Sequence, residues 1–134
     1  MPRYRSGLPQ LSGDIFLTDA GLETDLIFNH RIEIREFAAH TLLPTSEGRA
    51  ALSAYFKGFL KLAKEMDTGF ILDSVTWKAH AHWASCLHAS SAELRAANED
   101  SLRFIADLRE RFSGNAKPIV LNAVIGPRGD ACKP

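Results

Sequence analysis

The segment with the strongest chemical signal runs from Gly69 to His80. Its first half is a short apolar run behind a glycine, which is typical of a strand buried on both faces. Its second half turns polar and aromatic where such a strand would end. The polar and aromatic residues there are Asp73, Ser74, Thr76 and Trp77. In α/β proteins the functional groups lie at the carboxyl ends of parallel strands, so we expect a site at this point.

A second group with possible chemistry consists of His80, His82, Cys86 and His88. Imidazole and thiolate are good zinc ligands, and His82 and Cys86, four residues apart, would share one face of a helix. The spacing matches no standard zinc finger, however, and residues two apart point to opposite sides of a helix. We therefore expect solvated loop histidines, with a metal site as the less favoured alternative.

Composition limits the classes of protein that fit. The chain has 134 residues, of which 46% are hydrophobic, and its 16 basic and 16 acidic residues cancel. This is ordinary for one soluble domain, and it gives no reason to expect a nucleic-acid or membrane partner. No apolar run has the length of a membrane span, and the first residues lead into no signal-type core, so we expect a cytoplasmic protein. Two widely spaced cysteines, Cys86 and Cys132, fit free thiols in a reducing compartment.

Three apolar segments alternate with two amphipathic ones. We predict an irregular lead-in over residues 1–13, strands over 15–18, 70–75 and 119–125, helices over 46–66 and from residue 90, and a long loop over 26–43. Strand–helix–strand order with nearly continuous apolar strands predicts parallel βαβ units in an α/β fold. The polar turns at 19–25, 73–77 and 126–130 should then meet at one edge of the sheet.

Local signals set the ends of the two helices. Thr45 or Ser46 can cap the first helix, and Gly69 is expected to terminate the turn that follows it. Ser90 and Glu93 form a capping box at the start of the second helix. Residues 113–115, Ser-Gly-Asn, are expected to end that helix.

Three motifs resemble one known family. They are Asp19-Ala20-Gly21-Leu22-Glu23-Thr24-Asp25-Leu26 after the first strand, residues 69–79 at the second, and Ile125-Gly126-Pro127-Arg128-Gly129 after the third. In this order they resemble the homocysteine S-methyltransferases, which are zinc-dependent (βα)8 barrels. The resemblance covers roughly residues 14–130. Because such a barrel needs on the order of 250 residues, it implies that residues 14–134 are a truncated TIM-type barrel of about three βα units with parallel strands.

The resemblance also implies a site for homocysteine and a methyl donor. Its carboxylates would receive the amino group of homocysteine, and its backbone amides and hydroxyls would take the carboxylate. The implied substrate-binding residues are Asp19, Ala20, Gly21, Glu23, Thr24, Asp73, Ser74, Thr76 and Trp77. Ala20 stands where the family usually has glycine. The residues do not distinguish among possible methyl donors.

Zinc is the cofactor of the complete family enzyme, because methylation needs the homocysteine thiolate and zinc deprotonates a bound thiol. In the family three cysteines on later strands hold this zinc, and neither Cys86 nor Cys132 has such a context. The resemblance therefore implies no catalytic residue and no bound zinc in this chain alone.

Plainer interpretations stay open for each of these residues. Asp19 and Asp73 could cap turns, Trp77 and Trp83 could be packing residues, and Gly126-Pro127 could be an ordinary turn. The alternative function is a non-catalytic fragment or interaction module. Three parallel strands leave two open edges, so we expect a homo-oligomer under either hypothesis.

Overall fold

The computed structural model describes residue 4, residues 6–112, residue 114 and residues 117–129. The lead-in, as far as it is described, contains one short 3₁₀ turn at Pro9–Leu11. The expected helix stop lies partly outside the described residues, and the end of the third turn at Asp130 and the second cysteine, Cys132, lie outside them entirely.

A three-stranded parallel sheet forms the centre of the fold. Its strands are β1 (Phe16–Thr18), β2 (Gly69–Asp73) and β3 (Ile119–Asn122), in the order β1-β2-β3. Leu17 of β1 lies opposite Phe70 of β2, which lies opposite Ile119 of β3. The predicted α/β class and the parallel strands are confirmed, although all three strands are shorter than the apolar runs that predicted them.

In the described part of the chain, four α-helical segments accompany the sheet: α1 (Leu22–Thr24), α2 (Ser46–Glu65), α3 (Ala84–Leu87) and α4 (Ser91–Arg111). The predicted caps of the two long helices are confirmed. The Gly48 amide donates to the Thr45 hydroxyl (3.1 Å), and Ser90 and Glu93 form both bonds of the capping box. Among the described residues, no helix is long and apolar enough to cross a membrane.

The prediction that Gly69 terminates the turn after α2 is wrong. The left-handed residue there is Asp67 (φ 48°), and Gly69 is the first residue of β2. A Cβ on Gly69 would lie 2.3 Å from the Phe16 ring. The glycine is therefore needed for close packing between β1 and β2, not for a helix end.

The main core lies between the sheet and the two long helices. Both helices pack against β2, and they contact each other where the Phe56 and Phe104 rings lie 6.5 Å apart, so they cover the same face of the sheet. Phe70, Leu72 and Ile119 are the buried strand residues of this core. This packing fixes the positions of the strand ends and therefore of the polar turns that follow them.

The segment predicted as a long loop is folded more tightly than expected. It contains a π-helical turn at Asp25–Asn29 and 3₁₀ turns at Arg35–Phe37 and Ala39–Leu42. Leu26, Ile34 and Leu43 from this segment are buried. Its apolar residues lack helical or strand periodicity because successive short turns, not one regular element, direct them inward. Between β2 and α4 a further 3₁₀ turn, Ala81–Trp83, precedes α3.

Candidate functional site

The polar turns after β1 and β2 line an open pocket of about 250 Å³, whereas residues 126–129 of the third predicted turn do not line it. Six of the nine residues expected to bind substrate line this pocket: Asp19, Gly21, Glu23, Asp73, Ser74 and Trp77. Val124, after β3, completes the wall on the third side. The expectation that the carboxyl ends of the strands gather these side chains is therefore met by the geometry.

The other three expected residues do not line the pocket. Thr24 is exposed on α1, and Thr76 is buried. Ala20 adjoins the pocket but is bonded to α2 through its backbone, and its φ is not positive. The left-handed residue of this turn is the glycine that follows it, Gly21, at φ 61°.

Tyr55 of α2 fixes the end of β1. Its hydroxyl oxygen lies 2.7 Å from the Ala20 carbonyl oxygen and 3.1 Å from Oδ2 of Asp19, and it accepts the Ala20 amide at 3.2 Å. The sequence places this residue only within the predicted helix over 46–66. A tyrosine in such a helix is itself a signal, because a buried hydroxyl needs a hydrogen-bond partner.

Burial dominates the electrostatics of the two acidic residues after β1. Desolvation raises the pKa of Asp19, the negative charge of Asp73 adds to the rise, and the Tyr55 hydrogen bond opposes it. Desolvation also raises the pKa of Glu23, against hydrogen bonds from the Ala39 backbone and the Trp77 side chain. None of the described residues that line the pocket is basic. The pocket therefore favours a ligand that brings positive charge.

Asp73 is oriented by the neighbouring strand. Its Oδ1 accepts a hydrogen bond from Nδ2 of Asn122 at 2.8 Å. The two residues are also register partners at the ends of β2 and β3. The bond holds one carboxylate oxygen and leaves the other available to a ligand, so far as the described contacts show.

The hydroxyls of Ser74 and Thr76 connect β2 to the segment after β3. Ser74 Oγ accepts the Val124 amide (2.9 Å), Thr76 Oγ1 donates to the Val124 carbonyl (2.8 Å), and the two hydroxyl oxygens lie 2.7 Å apart. The resemblance implied that these hydroxyls bind a ligand carboxylate. In this structure their hydrogen bonds are made within the protein, which gives both residues a structural role.

Gly126 allows the segment after β3 to approach Trp77. A Cβ at this position would lie 1.7 Å from the Trp77 carbonyl oxygen. The Gly-Pro motif thus marks a place where two backbones touch, which a turn interpretation of the sequence does not predict.

The four residues of the histidine group lie between β2 and α4. His82, Cys86 and His88 are exposed, and no three His, Cys, Asp or Glu side chains among the described residues are arranged to hold a metal ion. The His80 and His82 rings stack with centroids 6.3 Å apart. His80 has an extended backbone before the turn, so the rule that residues two apart point to opposite sides of a helix does not apply to this pair.

The zinc of the resembled family does not fit the pocket. Cys86 lies on α3 and is not among the residues that line it. No thiolate or imidazole lines the pocket within the part of the chain that is described. What these residues offer chemically is the binding of a small cationic group by carboxylates.

A larger cleft of about 600 Å³ lies between the Ala39–Leu42 turn and α4. Its acidic residues already have partners: Glu93 in the capping box, Glu99 with Arg95 and Arg103, and Asp100 with Arg49. Although it is larger, this cleft presents no convergent set of unpaired charges.

Comparisons of the chain with protein-family models, with curated proteins and with solved structures found no match. The pocket itself and the three motifs are therefore the only observations from which a function can be inferred for this chain.

Proposed function

We propose that this chain is the amino-acid-binding part of a homocysteine S-methyltransferase-like protein, built as part of a (βα)8 barrel. The observation that carries the proposal is the convergence of Asp19 and Asp73 in one pocket from two separate strands. The motif resemblance implies the same two carboxylates. The open parallel sheet is compatible with part of a barrel.

The chemistry of the pocket suits an α-amino group. An ammonium donates charge-assisted hydrogen bonds to carboxylates, and these bonds are about twice as strong as neutral ones. Burial and the charge of Asp73 both disfavour the ionised form of Asp19. A bound ammonium would offset both effects. Binding a cation should therefore stabilise the ionised carboxylates of this pocket more than it would stabilise an exposed carboxylate pair.

The proposed contribution of this chain to methyl transfer is binding and orientation. A free thiol has a pKa of about 8.5 and reacts as its thiolate. Carboxylates are weaker bases than a thiolate, so transfer of the thiol proton to the acidic residues of the pocket would be unfavourable. The residues that would activate the thiol are not among those that line this pocket, and the methyl donor is left open.

The alternative is a non-catalytic module that associates with itself. The open sheet favours it, because β1 and β3 each pair with only one neighbour among the described strands. Unpaired strand edges promote association. Amino-acid binding separates the two hypotheses, since a module of this kind has no need of it.

The test compares the binding of L-homocysteine with that of 4-mercaptobutanoate, which lacks the amino group. We expect calorimetry to detect binding of homocysteine alone. Asp19→Ala and Asp73→Ala should each weaken it about tenfold or more, since each removes a hydrogen bond to a charged group. Asp107→Ala, which removes an exposed carboxylate of α4, is the matched control. Equal binding of both ligands, or unchanged affinity in both pocket variants, would refute the proposal.

A further inference from the structure

Lys78 is a buried lysine that the pocket itself does not use. Its exposed fraction is 7%, and its Nζ donates to the Glu36 carbonyl oxygen at 2.6 Å. The same nitrogen lies 3.9 Å from the centre of the Trp83 ring and 5.0 Å from that of Trp77. Burying a cationic group is costly unless other groups compensate it. Here a carbonyl and two aromatic faces do so.

The backbone that Lys78 contacts has an unfavourable conformation. Glu36 has φ 52° and Phe37 has φ 54°, both in the left-handed region although neither is glycine. Such residues keep this conformation only where surrounding contacts impose it. The Lys78 bond to Glu36 is one such contact, and the bond from Arg35 Nη1 to the Leu87 carbonyl (3.2 Å) is another.

The Arg35–Phe37 turn is hydrogen-bonded to a residue that lines the pocket. The Trp77 indole donates to the Phe37 carbonyl at 3.3 Å, and Trp77 lines the pocket. Glu23 lines the same pocket as Trp77. A shift of the Arg35–Phe37 turn would therefore move the carbonyl that holds the Trp77 indole in the pocket wall.

We propose that Lys78 is a positioning residue for the pocket: by holding the Arg35–Phe37 turn it fixes the Trp77 indole, which forms part of the pocket wall. Its effect on ligand binding rests on the proposed function, whereas its effect on Trp77 does not. A purely structural lysine could be replaced by an apolar side chain of similar volume, because buried ionic groups are often matched in stability by such residues.

The test uses Lys78→Met, Lys78→Arg and, as a matched control, Lys61→Met on the exposed side of α2. The chain has two tryptophans, so NMR shows two indole N–H signals. Trp77→Phe and Trp83→Phe each remove one signal and so assign the pair. We expect Lys78→Met to move the Trp77 signal and to weaken L-homocysteine binding about tenfold, the effect of one lost charge-assisted bond.

The conservative variant and the control complete the expected pattern. Lys78→Arg should restore most of the affinity and of the signal position, because a guanidinium also stacks on aromatic rings. Lys61→Met should change neither. If Lys78→Met lowers only the melting temperature and leaves the Trp77 signal and the affinity unchanged, the positioning role is wrong.

Two further outcomes are also decisive. If the wild-type chain does not bind homocysteine, the proposed function fails, and the Trp77 signal of Lys78→Met alone decides the role of Lys78. If Lys78→Met does not fold, Trp83→Phe, which weakens the cation–π contact, takes its place. A Trp77 signal unmoved in Trp83→Phe would then overturn the inference.

Discussion

Asp19 has a charge that the folded chain disfavours. Burial raises its pKa above the ordinary value of 3.8, and the nearby Asp73 carboxylate adds to the rise. The folded state therefore holds a proton to higher pH than the unfolded state does. By linkage, the contribution of Asp19 to stability is greatest below pH 3.8 and is lost as the pH rises through its raised folded pKa.

The variant Asp19→Asn tests how much the buried charge of Asp19 destabilises the folded state. An amide oxygen still accepts the Tyr55 hydroxyl, but the buried charge is gone. We expect a higher melting temperature than that of the wild type at pH 7, and a difference that shrinks as the pH falls toward 3.8. Thermal unfolding followed across this range measures it, with Asp107→Asn as the exposed control. A constant difference at all pH values would contradict the linkage argument.

The residues that position the site were the least predictable part of the sequence. Asp19 and Asp73 were found because each follows an apolar run, and such positions meet at one edge of a parallel sheet. Tyr55 was recognised only as a helix residue, and Lys78 was not singled out at all. Their roles depend on contacts 35 and 42 positions away along the chain, to Ala20 and Glu36. No local pattern encodes contacts of that kind.

At the scale of elements, the predictions held where a signal was local. The caps of α2 and α4 were identified because capping uses residues three apart in sequence. The predicted role of Gly69 was wrong. A glycine is needed at this position because the Phe16 ring, which lies on another strand, leaves no room for a Cβ. The segment over residues 26–43 was expected to be a loop, since short turns give no sustained periodicity.

Gly126 tests how closely the segment after β3 must approach the end of β2. We expect Gly126→Ala to lower the free energy of unfolding by about 1–3 kcal/mol, the usual cost of overpacking, because its Cβ would overlap the Trp77 carbonyl. Gly58→Ala is the matched control. It lies on the exposed side of α2, where a Cβ meets nothing within 4 Å, and should stabilise the helix by about 0.5–1 kcal/mol.

Urea unfolding of both glycine variants gives these free energies. The difference in sign between them is the decisive result. If Gly126→Ala were as stable as the wild type, the segment after β3 would have room to move away from Trp77, and the shape of the pocket wall would not depend on this glycine.

At the scale of the molecule, β1 and β3 each have one edge without a strand partner among the described residues. The Ile15 carbonyl accepts the Gly69 amide at 3.0 Å, so Ile15 and Leu17 direct their backbone groups toward β2. Phe16 and Thr18 alternate with them and direct theirs outward. An outward row of unpaired backbone groups is a template for pairing with a second strand.

We therefore expect self-association that increases with protein concentration, measured by sedimentation velocity. Thr18→Pro removes one outward N–H and should weaken association about tenfold, whereas Thr18→Val keeps that N–H and should not. A wild-type chain that stays monomeric at all concentrations would contradict this prediction. Equal association of the two variants would place the contact at another surface.

Both tryptophans of the chain lie on the stretch that joins β2 to α4. Intrinsic fluorescence therefore reports the unfolding of this stretch, while far-UV circular dichroism reports chiefly the loss of α2 and α4. Coincident denaturation curves from the two probes would mean that the stretch unfolds together with the helices. An earlier fluorescence transition would identify the stretch as a separate cooperative unit of lower local stability.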